Sequence, residues 1–250
     1  MNIDSNELQQ VAATATAAAA DAPRVDMYAG IHKAMRALMA DTLLALGRMD
    51  CDDGLELAQT TQQVLALMDA CASHLKHENE FIHAALEARA PGASAVIAHE
   101  HDDHLAHIGR LAGAATALLR TPAAQRPAAV LALYRDLSLF IAENFHHMHV
   151  EETAHNAVLW ARYTDAELEA IHDALVASIP PEEMMGIVRW LVPFMNPAER
   201  TALLADMRAK APEAVFHAVL DAARPHLTQG EWTKLARSLG LPPVDGLVAV

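Results

Sequence analysis

Four stretches of the chain repeat apolar residues at steps of three and four, and each sets histidine or glutamate where a core residue belongs. In the first, Val25, Tyr28, His32, Met35, Met39 and Leu43 share one line. The second runs Val64, Leu67, Cys71, His74, Glu78, Phe81 and Ala85, and the third Ile97, His101, His104 with Leu105, Ile108 and Leu111. The fourth carries Leu133, Leu137, Phe140, Asn144, His147, Glu151, Ala154 and Val158. An apolar period of about 3.6 predicts a helix with one buried face. A buried imidazole or carboxylate left alone costs a few kcal/mol, roughly, so these side chains need one another or a cation.

Turn residues separate the four stretches. Helix one ends near Gly47, Asp53 with Glu56 reads as a capping box opening helix two, and Pro91-Gly92 stops that helix. Helix three starts near Ser94, and Thr121-Pro122 with Pro127 breaks it. Short connections place successive helices antiparallel and adjacent. The expected fold is therefore all-α: an up-down-up-down four-helix bundle over residues 24–163, with an additional C-terminal helical subdomain over 164–250. Residues 1–23 are Ala-rich and lack the period, and read as a lead-in.

The subdomain opens on caps with an acid three positions on: Thr164 with Glu167, Asn196 with Glu199, and Thr228 with Glu231. Helices are expected at roughly 165 to 178, 181 to 193, 197 to 209, 212 to 226 and 229 to 238, with Trp190, Leu191, Phe194, Phe216, Val219 and Leu220 as their core. No chemistry is assigned to this part.

Composition narrows the function. A chain that is 53% hydrophobic but 4% aromatic builds its core from Ala, Leu and Met, which favours helices. The net charge of -14 argues against a nucleic-acid partner, since phosphate binding needs clustered Lys and Arg. The most apolar run, MMGIVRWLVPFM, contains Arg189 and is too short to span a bilayer, and MNIDSNELQQ lacks the basic start of a secretory signal. Cys51 and Cys71 make no disulfide framework. A cytoplasmic protein without membrane association is the expectation.

Counting along each helix at about 1.5 Å per residue from the shared loops brings His32, His74, Glu78, His101, His104, His147 and Glu151 to one height, within about a turn. His-x-x-x-Glu occurs twice, as His74/Glu78 and His147/Glu151, and sets both side chains on one face. Five imidazoles and two carboxylates exceed a tetrahedral zinc site and suit iron or manganese, with two bridging carboxylates pointing to a metal pair.

The segments IHKAMR, HLKHENEF, HEHDDH and HHMHVEE, in this order, resemble the hemerythrin-like (HHE cation-binding) family over about residues 25 to 160. That resemblance implies a non-haem di-iron centre held by His32, His74, Glu78, His101, His147 and Glu151, with manganese or zinc as alternative ions. The chain departs from the oxygen carriers in spacing His101 and His104 three apart, where those use four, and Glu152 stands as the alternative to Glu151. A ferritin-like reading of Glu80/His83, Glu143/His146 and Glu152/His155 needs a glutamate on helix one, which has none.

Other histidines have plainer readings. His77, His83, His99 and His107 fall off the inner stripes and are expected to face solvent or to support the site from outside, as is Glu80. His146 and His149 are candidates to orient ligating carboxylates. Cys71 and Tyr28 read as core packing.

A histidine-rich donor set gives high-valent iron less anionic support than a carboxylate-rich one, which favours reversible binding over oxidation. The expected function is thus to bind or sense dioxygen, nitric oxide, peroxide or iron. A di-iron peroxidase or oxidase is the alternative, and the C-terminal subdomain offers a place for a protein partner or a second copy.

Overall fold

The structure, a computed structural model, describes residues 24–241, so the lead-in expected at 1–23 lies outside the described residues. Among the described residues there is no strand, and no helix is long and apolar enough to cross a membrane. The fold is all-helical. The described chain forms two compact units, residues 24–29 with 38–178 and residues 30–37 with 179–241.

The four sequence stripes fall on four helical rods. The first is α1 (Ala29–Arg48) and the third is α4 (Ala95–Leu118). The second joins α2 (Gly54–His77) to α3 (Ala84–Arg89) through a π turn at Glu78–His83, and the fourth joins α5 (Arg126–Val150) to α6 (Asn156–Arg162) through a π turn at Glu151–His155. A π turn lets in one extra residue by hydrogen bonding over five positions. The Asn156 N–H accordingly reaches the Glu151 carbonyl.

Local chemistry sets where the rods begin and stop. Asp53 accepts from the N–H groups of Leu55 and Glu56 at 2.8 and 3.1 Å, capping α2. Between α3 and α4 the chain turns through Gly92, whose φ of 87° favours glycine. The Glu87 carboxylate secures this turn by accepting from Gly92 N at 2.7 Å and from Ser94 Oγ at 2.7 Å, and these bonds hold its pKa below the usual range.

Contacts along the rods run in opposite directions. Asp41 meets Gln63 at 2.7 Å, Glu87 meets Ser94, and Asn79 meets His101. Glu100 meets His147 at 2.9 Å, and His107 meets Asp136 at 3.0 Å. Gly47 on α1 sits so close to the Tyr134 ring that a Cβ there would lie 2.9 Å from it, and Tyr28 reaches His155 at the other end. Most stripe residues are buried as the periodicity requires, including Val64, Leu67, Ile97, Leu111, Leu137 and Phe140. Leu105, expected inside, is 43% exposed, because it follows His104 by one residue and the α4 face that turns inward passes through His101, His104 and Ile108.

The change of texture at Thr164 marks a new helix rather than the edge of the first unit. Helix α7 (Asp165–Ser178) packs within that unit, with Leu168 fully buried beside Tyr28, Ile82, Leu86 and Leu159. Arg24 pairs with Asp165 at 2.6 Å, and Arg89 bonds both the Glu167 carboxylate and the Arg162 carbonyl.

The second unit contains α8 (Pro181–Phe194), α9 (Pro197–Lys210), α10 (Glu213–Ala223) and α11 (Gln229–Ser238). Asn196/Glu199 and Thr228/Glu231 form capping boxes, and Thr164 and Glu167 bond each other at the start of α7. Val188, Val192, Leu204, Phe216, Val219 and Leu220 make the core with Trp232. Trp190, Leu191 and Phe194 do not join it: Val188 and Val192, one turn apart, define the inner face, and Trp190 stacks on Phe194 outside that face with centroids 5.9 Å apart.

Among the described residues of this unit, Arg200 is a buried charge. Its guanidinium donates to the carbonyls of Val192, Pro193 and Met195 at 2.9, 2.9 and 3.0 Å and reaches Glu231 at 3.3 Å, closing the end of α8. Arg200→Ala strands those carbonyls, and is expected to destabilise the unit by about 3 kcal/mol in urea unfolding followed by circular dichroism. An unshifted midpoint would show that the carbonyls find other donors.

Candidate metal centre

Both His-x-x-x-Glu sequences reach the core where their rods leave α-helical geometry. His74 Nε2 lies 3.2 Å from Glu78 Oε1, and His147 Nε2 lies 3.4 Å from Glu151 Oε2. From α4, His101 Nε2 comes within 3.0 Å of His147 Nε2, 3.6 Å of Glu78 Oε2 and 3.7 Å of Glu151 Oε1. Glu78, His101, His147 and Glu151 each offer one ligand atom, all within 4.8 Å of one another, and all four residues are buried.

Outer partners fix the two rings. His101 Nδ1 bonds Asn79 Oδ1 at 2.8 Å, and His147 Nδ1 bonds Glu100 Oε2 at 2.9 Å. Because those oxygens accept, each Nδ1 carries a proton and each ring turns its Nε2 inward. Two imidazole nitrogens and two carboxylates at one point need positive charge among them, from a ring proton or from a cation. The donor set fits a transition-metal cation, and the Nδ1 bonds are of the kind that orient histidine ligands.

The electrostatics agree. Burial and the neighbouring Glu78 both push Glu151 up, but hydrogen bonds from His101 and His147 outweigh them and keep it ionised, its pKa below the usual carboxylate range. Burial would lower His147, yet its bonds to Glu100 and Glu151 raise it to about 10, so without a metal a proton supplies the positive charge. Burial pushes the Cys71 thiol up, consistent with a packed, inert side chain.

His32 is fully buried on α1, and the side chain of His74 is 14% exposed. His104 is buried but joins no converging group among the described residues: its ring sits edge-on to His147 and Phe140, with centroids 4.9 and 5.9 Å away. Three residues after His101 rather than four, it packs beside the donors. Glu152 is only partly buried, and Glu80 and His99 face solvent as expected.

Several histidines expected outside are inside. His77, His83 and His107 are 8%, 5% and 5% exposed. The π turn carries His83 round to the inner face five residues after Glu78, where it stacks on His101 at 4.8 Å. His107 is held by Asp136 and Glu143 at 3.0 and 3.4 Å, while Ser73 Oγ lies 3.4 Å from His77 Nδ1. His146 and His149 are exposed, so the orienting task falls to Glu100 and Asn79 instead.

His155 was not among the residues singled out by the stripes. It is 1% exposed, and its Nδ1 lies 3.1 Å from the hydroxyl of buried Tyr28. Burial, with Glu151, Glu78 and Asp26 nearby, raises that phenol well above its ordinary pKa. His83, Glu151 and His155 form another group whose ligand atoms lie within 4.8 Å of one another. The sequence signal was a histidine following each core glutamate, Glu78 to His83 and Glu151 to His155.

An all-helical fold with buried histidine and glutamate donors converging from three rods defines a cation-binding helical protein. Residues 24–155 match the hemerythrin HHE cation binding domain, and the chain belongs to that family. Searches of curated proteins and of solved structures return no match.

Proposed function

We propose that this protein holds two non-haem iron ions in its core and uses them to bind or sense a small ligand: dioxygen, nitric oxide or peroxide. The observation that carries the reading is the meeting of His101 and His147 Nε2 at 3.0 Å between Glu78 and Glu151, with both Nδ1 atoms already engaged. These four residues hold the central ion. His74 and Glu78 would hold its neighbour, since the Glu78 carboxylate turns Oε1 to His74 and Oε2 to His101. His104 supports the ring of His147 by packing.

Iron in such a site would supply a redox-active Lewis acid. The chain's own residues keep water away and hold the rings in register. Imidazole-rich donors favour reversible binding over oxidation.

Protein purified without chelator is expected to contain about two iron ions per chain and to change its visible absorption on adding azide. Absence of stoichiometric metal would end the proposal. Sustained turnover of peroxide by the iron-loaded protein would replace it with an enzymatic reading.

A further inference from the structure

Two buried histidines beside the proposed centre take no part in it. His83 and His155 close the two π turns, whose first residues are Glu78 and Glu151. The second and fourth rods therefore present the same order inward: His74, Glu78, His83 and His147, Glu151, His155. The extra residue in the first π turn brings His83 round to the core, while His155, four after Glu151, already shares its face.

Their ring nitrogens are poised for a ligand. Neither Nδ1 nor Nε2 of His83 has a hydrogen-bond partner, and neither has Nε2 of His155, although the residues are 5% and 1% exposed. The rings meet edge to face at 5.4 Å. Glu151 completes the cluster, with one ligand atom from each residue inside 4.8 Å. A buried imidazole nitrogen without a partner is costly, and three of them beside a carboxylate are rarely accidental.

We propose that His83, His155 and Glu151 hold a further divalent transition-metal ion, of the iron(II) or zinc class. Two imidazoles and one carboxylate with open positions are the donor set used by mononuclear non-haem iron(II), and catalytic zinc accepts similar three-residue sets. The Tyr28 hydroxyl, 3.1 Å from His155 Nδ1, orients that ring so that Nε2 faces the cluster. Glu151 then belongs to two adjacent positions, so the inference rests on the reading that Glu151 faces a cation.

The test is a titration of metal-free, full-length protein with cobalt(II), read by visible absorption and calorimetry. Wild type is expected to take up three equivalents, and the His83→Gln/His155→Gln double variant two, with helicity unchanged. Tyr28→Phe is expected to keep all three but to bind the last about tenfold more weakly. Two equivalents in wild type, or three in the double variant, would overturn this inference and leave the paired centre standing. A wild type that binds none would overturn both. Should the double variant lose its helicity, Tyr28→Phe decides: an unaltered third affinity rejects the assignment.

Discussion

Glu151→Gln is expected to strip metal from a protein that still folds, and Glu80→Gln to leave metal content unchanged. Glu151 is fully buried and faces both His101 and His147, so replacing a charged acceptor with a neutral amide removes a donor and turns an N–H toward the site. Outer partners of ligating histidines already change metal affinity by about 10–100-fold, so loss of a shared carboxylate should cost at least about 100-fold. Glu80 is 51% exposed and lies 4.0 Å from Lys76, an ion pair on the outer face. Metal analysis of the two variants after identical purification reads the difference. Equal losses would mean that the wrong face of the second rod had been assigned to the core.

Chelation should then destabilise the protein strongly, and more so at high pH. A cation present at about 1,000 times its dissociation constant stabilises the folded state by about 4 kcal/mol, and removing it gives that up. His147 determines the pH dependence. Its folded pKa, raised to about 10, exceeds the ordinary imidazole value, so in the metal-free protein its stabilising proton is fully present below about 6.5 and is lost as pH rises through 10. Metal must displace that proton, and apparent affinity should climb about tenfold per pH unit below 10. The gap in unfolding temperature between loaded and chelated protein should widen from pH 6 to pH 9. Calorimetry in buffers of different ionisation heat should also count protons released on binding, and finding none would contradict the protonated His147.

Much of the architecture could be read from residue spacing. The stripes of the third and fourth rods are buried almost throughout, the caps at Asp53, Asn196 and Thr228 form, and helix ends fall near their turn residues. Those features depend on near neighbours in the chain, which periodicity and side-chain capping describe well. Partnerships across the fold were hidden: Glu100 with His147, Asn79 with His101, Asp136 with His107, and Arg200 with the end of α8. His83 was missed for another reason. A constant 3.6-residue step assigns it to the outer face, and only the inserted turn after Glu78 reverses that.

That inserted turn also marks where length is forgiving. Removing one residue from 78–83 or 151–155 would restore ordinary winding with the downstream helix, α3 or α6, still in phase, because the wider turn holds one residue more over the same rotation. In the second rod, Ala85 and Leu86 would keep the layer they share with Tyr28 and Leu168; in the fourth, so would Leu159. A deletion in the α-helical stretch on either side has no such slack and would turn everything after it by about 100°. The spare residue is a spacer that lets an apolar layer and an imidazole occupy one rod at incompatible phases.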